Sequence, residues 1–357
     1  MARIVFVLGA GASAHTGAPL MGNFYRAITD LYDDPKFTEH REDFKLVIRC
    51  NKELDNVYAK VHMGYHENIE NLLATFEMAS IIGRLGNLPS SDLSRLTKAM
   101  KCVITTTIER SQRYKYIKGQ GFKPHSGYLE FAKSIKDIMG NDNADIAILT
   151  FNYDYALEFA FNYADIPLSY CLEGTESSGI PYLKLHGSLN WGQCKKCHEL
   201  IPYSIGEWAS HPKNAIALEL PDCETPLDLS KRIETLQHCG KILDPDPFIV
   251  PPTWNKTNYS NSLERVWQRA AKELASARAI FMIGYSFPQT DEFFRHLMAL
   301  SLAGGPLIDI FAIVNTDPNI FENVKRWVGD KLQHPLIHIS ERFEISRPWI
   351  LDTLKQR

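Results

Sequence analysis

Four short stretches of nearly unbroken apolar residues punctuate the chain: Ile4-Val5-Phe6-Val7-Leu8, Ile146-Ala147-Ile148-Leu149, Ala279-Ile280-Phe281-Met282-Ile283, and Leu307 to Val314 with Asp309 inside it. They are rich in β-branched residues, do not alternate with polar ones, and are too short for helices. This predicts strands buried on both faces, as in a parallel sheet. Each ends in a polar segment, and in open parallel sheets ligands sit outside the carboxyl ends of the strands. A period of 3.6 appears elsewhere. Leu263, Val266, Trp267, Ala270, Ala271 and Leu274 predict a helix over 262–278, and another is expected near Phe24 to Ile28. Ile69 to Leu85 and Asp92 to Gln112 also read as helices, with few strand signals between residues 25 and 140. Pro348 to Arg357 reads as a short closing helix.

The expected class is therefore α/β. A Rossmann-like parallel sheet over 1–30, 141–190 and 246–357 carries a large helical insertion over 31–140. A small loop-rich module spans 191–245, where prolines, little periodicity and four of the seven cysteines collect. Composition fits this picture: the 357 residues are 45% hydrophobic and 23% charged, the balance of a globular protein. A formal net charge of −3 supplies no general attraction for nucleic acid or an anionic membrane. The basic, aromatic stretch Arg110 to Lys118 is read as a solvated helix end rather than a nucleic-acid contact. No apolar run reaches the ~18 residues a membrane span needs, and Gly9 ends the first run too early for a signal peptide, so a cytoplasmic protein is expected.

Directly after the first run comes Gly9-Ala10-Gly11-Ala12-Ser13. A strand, a Gly-x-Gly turn and a helix form a phosphate cradle. Gly9 would allow the turn, Gly11 would let the backbone approach a pyrophosphate, and Ser13 would add a hydroxyl donor. The loop departs from two better-known nucleotide motifs. The acid expected about 20 residues on is not at the end of a second strand, since Asp30, Asp33 and Asp34 lie at the end of a helix-like segment, and no Gly-Lys-Ser/Thr follows. Hydride transfer and P-loop ATP hydrolysis both lose ground.

Three further segments fall at strand ends: Thr150-Phe151-Asn152-Tyr153-Asp154, Lys184-Leu185-His186-Gly187-Ser188 and Ile283-Gly284-Tyr285-Ser286-Phe287. Taken in order with Gly9 to Ser13, Thr16-Gly17-Ala18-Pro19, Cys194-Lys195-Lys196-Cys197 and Val314-Asn315, they resemble the sirtuin family. The closer resemblance, carried by Asn152-Tyr153-Asp154, Leu185 to Ser188 and Gly284-Tyr285-Ser286 with Asp291, is to the sirtuin-like effectors of bacterial antiviral defence. One departure favours that branch. Deacylating sirtuins follow Gly-x-Pro with Asp-Phe-Arg, whereas Pro19 here is followed by Leu20-Met21-Gly22.

The resemblance implies a sirtuin-like fold and cleavage of NAD+, as substrate, to nicotinamide and ADP-ribose during phage infection. Asn152 is then expected to bind the nicotinamide ribose or position water, because a carboxamide both donates and accepts. His186 is expected to be the base, because imidazole titrates near neutral pH. Gly9, Ala10, Gly11, Ala12, Ser13, Asp154, Gly284, Ser286 and Asn315 are expected to hold the dinucleotide; Asp154 could instead cap the helix beginning near Tyr155. A protein deacylase, a non-catalytic NAD+ or ADP-ribose sensor, and a cyclising enzyme are the rival readings. An NAD+-depleting enzyme would be toxic if always active, which implies gating by homo-oligomerisation or by a partner such as a HerA-type hexameric ATPase.

Seven cysteines, an odd number unevenly spread, suit reduced thiols or a metal better than a disulfide framework. Cys194-x-x-Cys197 is half of a zinc signature, and Cys239 would belong to the other half. Cys223 or His238 could supply the fourth ligand. Such a zinc would be structural. The rigid loop Pro251 to Lys256 could line the pocket or shape a subunit contact, or its Trp254 could simply cover the core.

Overall fold

The computed structural model describes residues 3–58, 68–142, 145–172, 178–206, 221–250, 260–288, 291–328 and 331–355. The Pro251 to Lys256 loop lies outside these residues. Its centre is a seven-stranded sheet: β1 (Arg3–Leu8), β2 (Asp145–Thr150), β3 (Leu168–Ser169), β4 (Ile180–Lys184), β5 (Ala277–Ile283), β6 (Ile310–Val314) and β7 (Ile337–Ile339). Their spatial order is β7-β6-β5-β1-β2-β4-β3, with every neighbouring pair parallel. From β1 the chain passes to β2, runs out to the edge strand β3 and returns to β4 between them, then crosses to the other side of β1 and builds outward through β5, β6 and β7. The reversal falls between β1 and β5.

Around the sheet run α1 (Ala10–Ser13), α2 (Phe24–Asp33), α3 (Arg41–Tyr58), α4 (Ile69–Ile82), α5 (Ser90–Ser111), α6 (Ser126–Asp142), α7 (Ala156–Tyr163), α8 (Ser260–Ala275), α9 (Glu292–Ala303), α10 (Pro318–Val328) and α11 (Phe343–Lys355). Among the described residues no helix is long and apolar enough to cross a membrane. Side chains along β1 alternate between two cores. Ile4, Phe6 and Leu8 join one, Val5 and Val7 the other. Both faces are covered, which is why the strand reads as a continuous apolar run. The first core holds Phe131 of α6 against Phe6, ring centroids 5.3 Å apart, with residues from α2 to α5, α7 and α11. The second is sealed by Leu263, Val266, Ala270 and Leu274 of α8, Phe294 and Met298 of α9, and Val324 of α10.

The four expected strands and the expected helices are present, with shifts. β6 begins at Ile310 rather than Leu307, and α11 begins at Phe343 with Pro348 inside it. Two strands were not legible: β3 has two residues and β7 carries a central His338. Of β4, which holds Pro181, only the end at Lys184 was expected. The stretch 31–140 is mainly helical, yet α6 lies on the sheet. The strand Tyr114–Ile117 also pairs antiparallel with Gly121–Lys123 and with Cys223–Thr225 from the cysteine-bearing segment. The solvated helix end expected for 110–118 therefore needs correction. The helix stops at Ser111, and Tyr114 and Tyr116 are buried while Lys115 between them is exposed. Arg110 is held by Glu39 at 2.6 Å and Asp228 at 3.2 Å.

Candidate functional site

The sheet register sets the site. Leu8 is the Cα partner of both Thr150 and Ile283, Ile283 of Val314, Thr150 of Lys184, and Val314 of Ile339. One rung thus closes six strands, and every motif segment leaves the sheet at the same level. One residue on stand Gly9, Gly284 and Asn315; two residues on stand Asn152 and His186. Above this edge, over the β1/β5 reversal, lies a cavity of ≈ 560 Å³, within the usual range of small-molecule and cofactor sites. Ala10, Gly11, Asn152, His186, Gly284, Ser286 and Asn315 line it, whereas Gly9, Ala12, Ser13 and Asp154 do not.

The three loop glycines serve each other. A Cβ on Gly9 would lie 2.5 Å from the Tyr285 Cα, one on Gly11 2.8 Å from the Gly284 Cα, and one on Gly284 2.3 Å from the Ala12 N. Gly284 also has φ +59°, in the left-handed region. The loops after β1 and β5 are interlocked backbone to backbone: the Gly9 N–H donates to the Ile283 carbonyl at 2.9 Å and the Gly11 N–H to the Gly284 carbonyl at 2.8 Å. This corrects the expectation for the Gly11 amide, which is engaged within the protein; the missing side chain admits Gly284, and Gly11 still lines the cavity.

Ser13 is corrected in the same way. Its hydroxyl has one proton, which goes to Asp154 Oδ2 at 2.8 Å. It then accepts from Tyr128 Oη at 2.7 Å and from Asn152 Nδ2 at 2.9 Å. That exhausts a hydroxyl's capacity, and Ser13 is 1% exposed. Asp154 is 5% exposed, and its other oxygen accepts the Ala156 N–H at 3.0 Å at the start of α7. The helix-capping reading holds for Asp154, and its second oxygen secures the loop from behind instead of meeting a ligand.

Asn152 donates both amide hydrogens inward, to the Gly9 carbonyl at 2.9 Å and to Ser13 Oγ. What remains for a ligand is Oδ1, an acceptor. His186 is 4% exposed and meets the Phe151 ring edge-on at 5.2 Å. The following Gly187 has φ +82°, and a Cβ there would lie 2.2 Å from the Phe248 carbonyl oxygen, so the turn presenting His186 admits only glycine. Asn315 is committed to shaping its strand end. Its amide donates to the Tyr285 carbonyl at 3.3 Å and its Oδ1 accepts the Asp317 N–H at 3.0 Å. Ser286 is exposed at the mouth.

Residues outside the expected set complete the cavity. Phe151 and Tyr285 stack at 4.4 Å, with Phe294 edge-on to both, making a dry side. Tyr285 Oη donates to Asp291 Oδ2 at 2.7 Å, and Asp291 lines the cavity although 3% exposed. His15, Glu341, Arg342 and Glu344 line the far side. Burial lowers the pKa of His15, and its Nδ1 lies 2.9 Å from the Ala12 carbonyl oxygen. In the neutral ring Nδ1 therefore carries the proton. Behind it, burial and the neighbouring His15 lower His125 to about 4. A polar side chain in an otherwise small-residue loop was the one available signal for His15; the Glu341 to Glu344 segment had none, because β7 was not legible.

In the cysteine-bearing segment, Cys194, Cys197, His238 and Cys239 bring their ligand atoms within 4.8 Å of one another. Cys197 Sγ is 3.7 Å from Cys239 Sγ and 3.3 Å from His238 Nδ1, and Cys239 Sγ is 3.5 Å from the same nitrogen. A tetrahedral zinc at about 2.3 Å from sulfur and about 2.0 Å from nitrogen needs ligand edges of roughly this length. Backbone N–H groups of Cys197 and Lys196 lower the Cys194 thiol to about 6, favouring thiolate. Glu199 lies 3.4 Å from His238 Nε2, placed as the outer partner that fixes a metal-bound imidazole. These residues fit a structural zinc. His238, the alternative, supplies the fourth group. Cys223 is corrected out of the set, because it pairs with Tyr116 in the three-stranded sheet.

No family model matches the chain, and no curated protein matches it. Among solved structures it is similar to one of Sir2 enzymes addressing their mechanism and regulation, with TM-score 0.42 and 16% identity over 99% of this chain and 92% of that one. It is also similar to a Sir2 homolog–NAD complex, with TM-score 0.40 and 16% identity over 99% and 89%. A third is Sir2 with the inhibitor EX-527, 2′-O-acetyl-ADP-ribose and deacetylated p53 peptide, with TM-score 0.38 and 14% identity over 99% and 94%. Likeness at this level assigns neither ligand nor activity to this chain.

Proposed function

We propose that the cavity binds NAD+ and hydrolyses its nicotinamide–ribose bond. The observation that carries the reading is the pairing of Asn152 and His186, two residues beyond the Thr150–Lys184 rung, on one cavity at the sheet reversal. In the reaction the C–N glycosidic bond breaks, nicotinamide leaves as a neutral base, and a water oxygen bonds the anomeric carbon of the ribose. Asn152 Oδ1 accepts a hydrogen bond from that water or from a ribose hydroxyl. His186 takes the proton the water sheds. The Phe151–Tyr285 stack keeps other water from the reacting centre. Gly284, Ser286 and Asn315 bound the end proposed for the phosphates and the adenosine ribose. Zinc, if bound by the Cys/His cluster, supplies structure only.

The same reading makes the protein an effector of bacterial anti-phage defence, held inactive until homo-oligomerisation or a partner such as a HerA-type ATPase releases it, in the cytoplasm. Purified protein incubated with NAD+, alone and with candidate partners, is expected to release nicotinamide and ADP-ribose. Asn152→Ala and His186→Ala should each lower kcat by about 10²–10⁴-fold. Nicotinamide release only with an acylated peptide would make the protein a deacylase. Cyclic product would make it a cyclase, and binding without turnover a sensor.

A further inference from the structure

Lys184 is 0% exposed, a rare state for a lysine. It ends β4, two residues before His186. Its Nζ donates to the Asp154 carbonyl at 2.5 Å, the Tyr153 carbonyl at 3.3 Å and Glu158 Oε1 at 2.7 Å, the full capacity of an ammonium. Two of these acceptors belong to the residues directly after Asn152. The third sits in the first turn of α7 and is fixed in turn by Tyr182 Oη at 3.2 Å and Tyr170 Oη at 3.4 Å. The Tyr153 carbonyl also accepts the Leu189 N–H at 3.0 Å, three residues beyond His186. The two segments that carry Asn152 and His186 are therefore tied to each other at one buried charge.

We propose that Lys184, neutralised by Glu158, is the positioning residue that fixes Asn152 relative to His186. The inference rests on the NAD+-cleaving reading of the same cavity. Lys184 touches no substrate; its part is to hold two backbone carbonyls where thermal motion would otherwise let the Asn152 segment drift. The cost of burying a charge is met by a partner on the neighbouring helix, and geometry of this kind needs both members.

Lys184→Met alone leaves Glu158 buried without its counter-charge and is expected to fold poorly. The informative protein is Lys184→Met/Glu158→Gln, which removes both charges at similar volume. With NAD+ as substrate it is expected to keep KM within about threefold and lose kcat by at least about tenfold. Glu158→Gln alone likewise leaves the Lys184 ammonium buried without its counter-charge and is expected to fold poorly. A double variant that keeps wild-type kcat overturns the proposal. The labelled His186 imidazole gives a readout free of turnover, one NMR signal in the wild type and several or broadened signals in the double variant. An unchanged single signal there also overturns it. Absence of nicotinamide release by the wild type would instead remove the functional reading, leaving the NMR comparison to judge the positioning role.

Discussion

The cavity and the cysteine cluster are both built from residues far apart in the chain, and they are held in opposite ways. Each cavity segment leaves the same rung of a sheet whose strands are covered on both faces, and the loops above it are interlocked through Gly9, Gly11 and Gly284. The cluster hangs on short antiparallel pairs, Trp191–Gln193 with Leu200–Pro202 and Gln237–His238 with Lys241–Ile242, over a small core of Cys194, Ile233 and Leu243. The first arrangement is organised before any ligand arrives. The second rests on a small apolar core, and a zinc ion bridging its four ligand atoms would supply the stabilisation that core lacks.

Metal removal tests that contrast most severely. Structural zinc in small modules is worth on the order of 10 kcal/mol. Chelation is expected to abolish amide-exchange protection across 194–206 and 231–243 while nucleotide affinity of the cavity changes little. Metal analysis should find one zinc per chain in the wild type and in Cys223→Ser, and none in His238→Ala. Zinc loss in Cys223→Ser would return Cys223 to the ligand set.

Gly284→Ala attacks the other side. Its new methyl group meets the Ala12 N at 2.3 Å at a φ of +59°, so the two loops must part. Strain and lost packing of this kind cost about 3 kcal/mol or more. Denaturant unfolding should show that loss, and titration calorimetry should show NAD+ affinity falling with it. Gly304→Ala, at a glycine with nothing within 4 Å, is the control and should be near neutral.

The smallest effect separates the two regions by pH. His125 sits near 4 when folded, against about 6.5 unfolded. Between these values the unfolded chain binds more protons, so stability is full above about pH 6.5 and falls as pH drops toward 4. The loss is on the order of 2 kcal/mol after allowing for partial exposure. His15, also lowered, adds in the same direction. Thermal melts from pH 7.5 to 5 should fall less steeply in His125→Gln than in the wild type. Equal slopes would remove His125 as the cause.

The sequence by itself determined the α/β class and four of the strands, because a strand buried on both faces has to be written as a short unbroken apolar run. It also offered Asn152 and His186 as members of one expected site, since the segments that carry them were read as strand ends of one parallel sheet. Tertiary structure decided the rest. That Gly11 makes room for Gly284, that Ser13 gives its only proton to Asp154, that His238 and not Cys223 meets Cys194, and that Lys184 binds the backbone beside Asn152 are all properties of pairs. A hydroxyl's capacity or the room for a methyl group depends on what stands opposite, here residues between 30 and 273 positions away. No local pattern carries that information until the sheet brings the partners together.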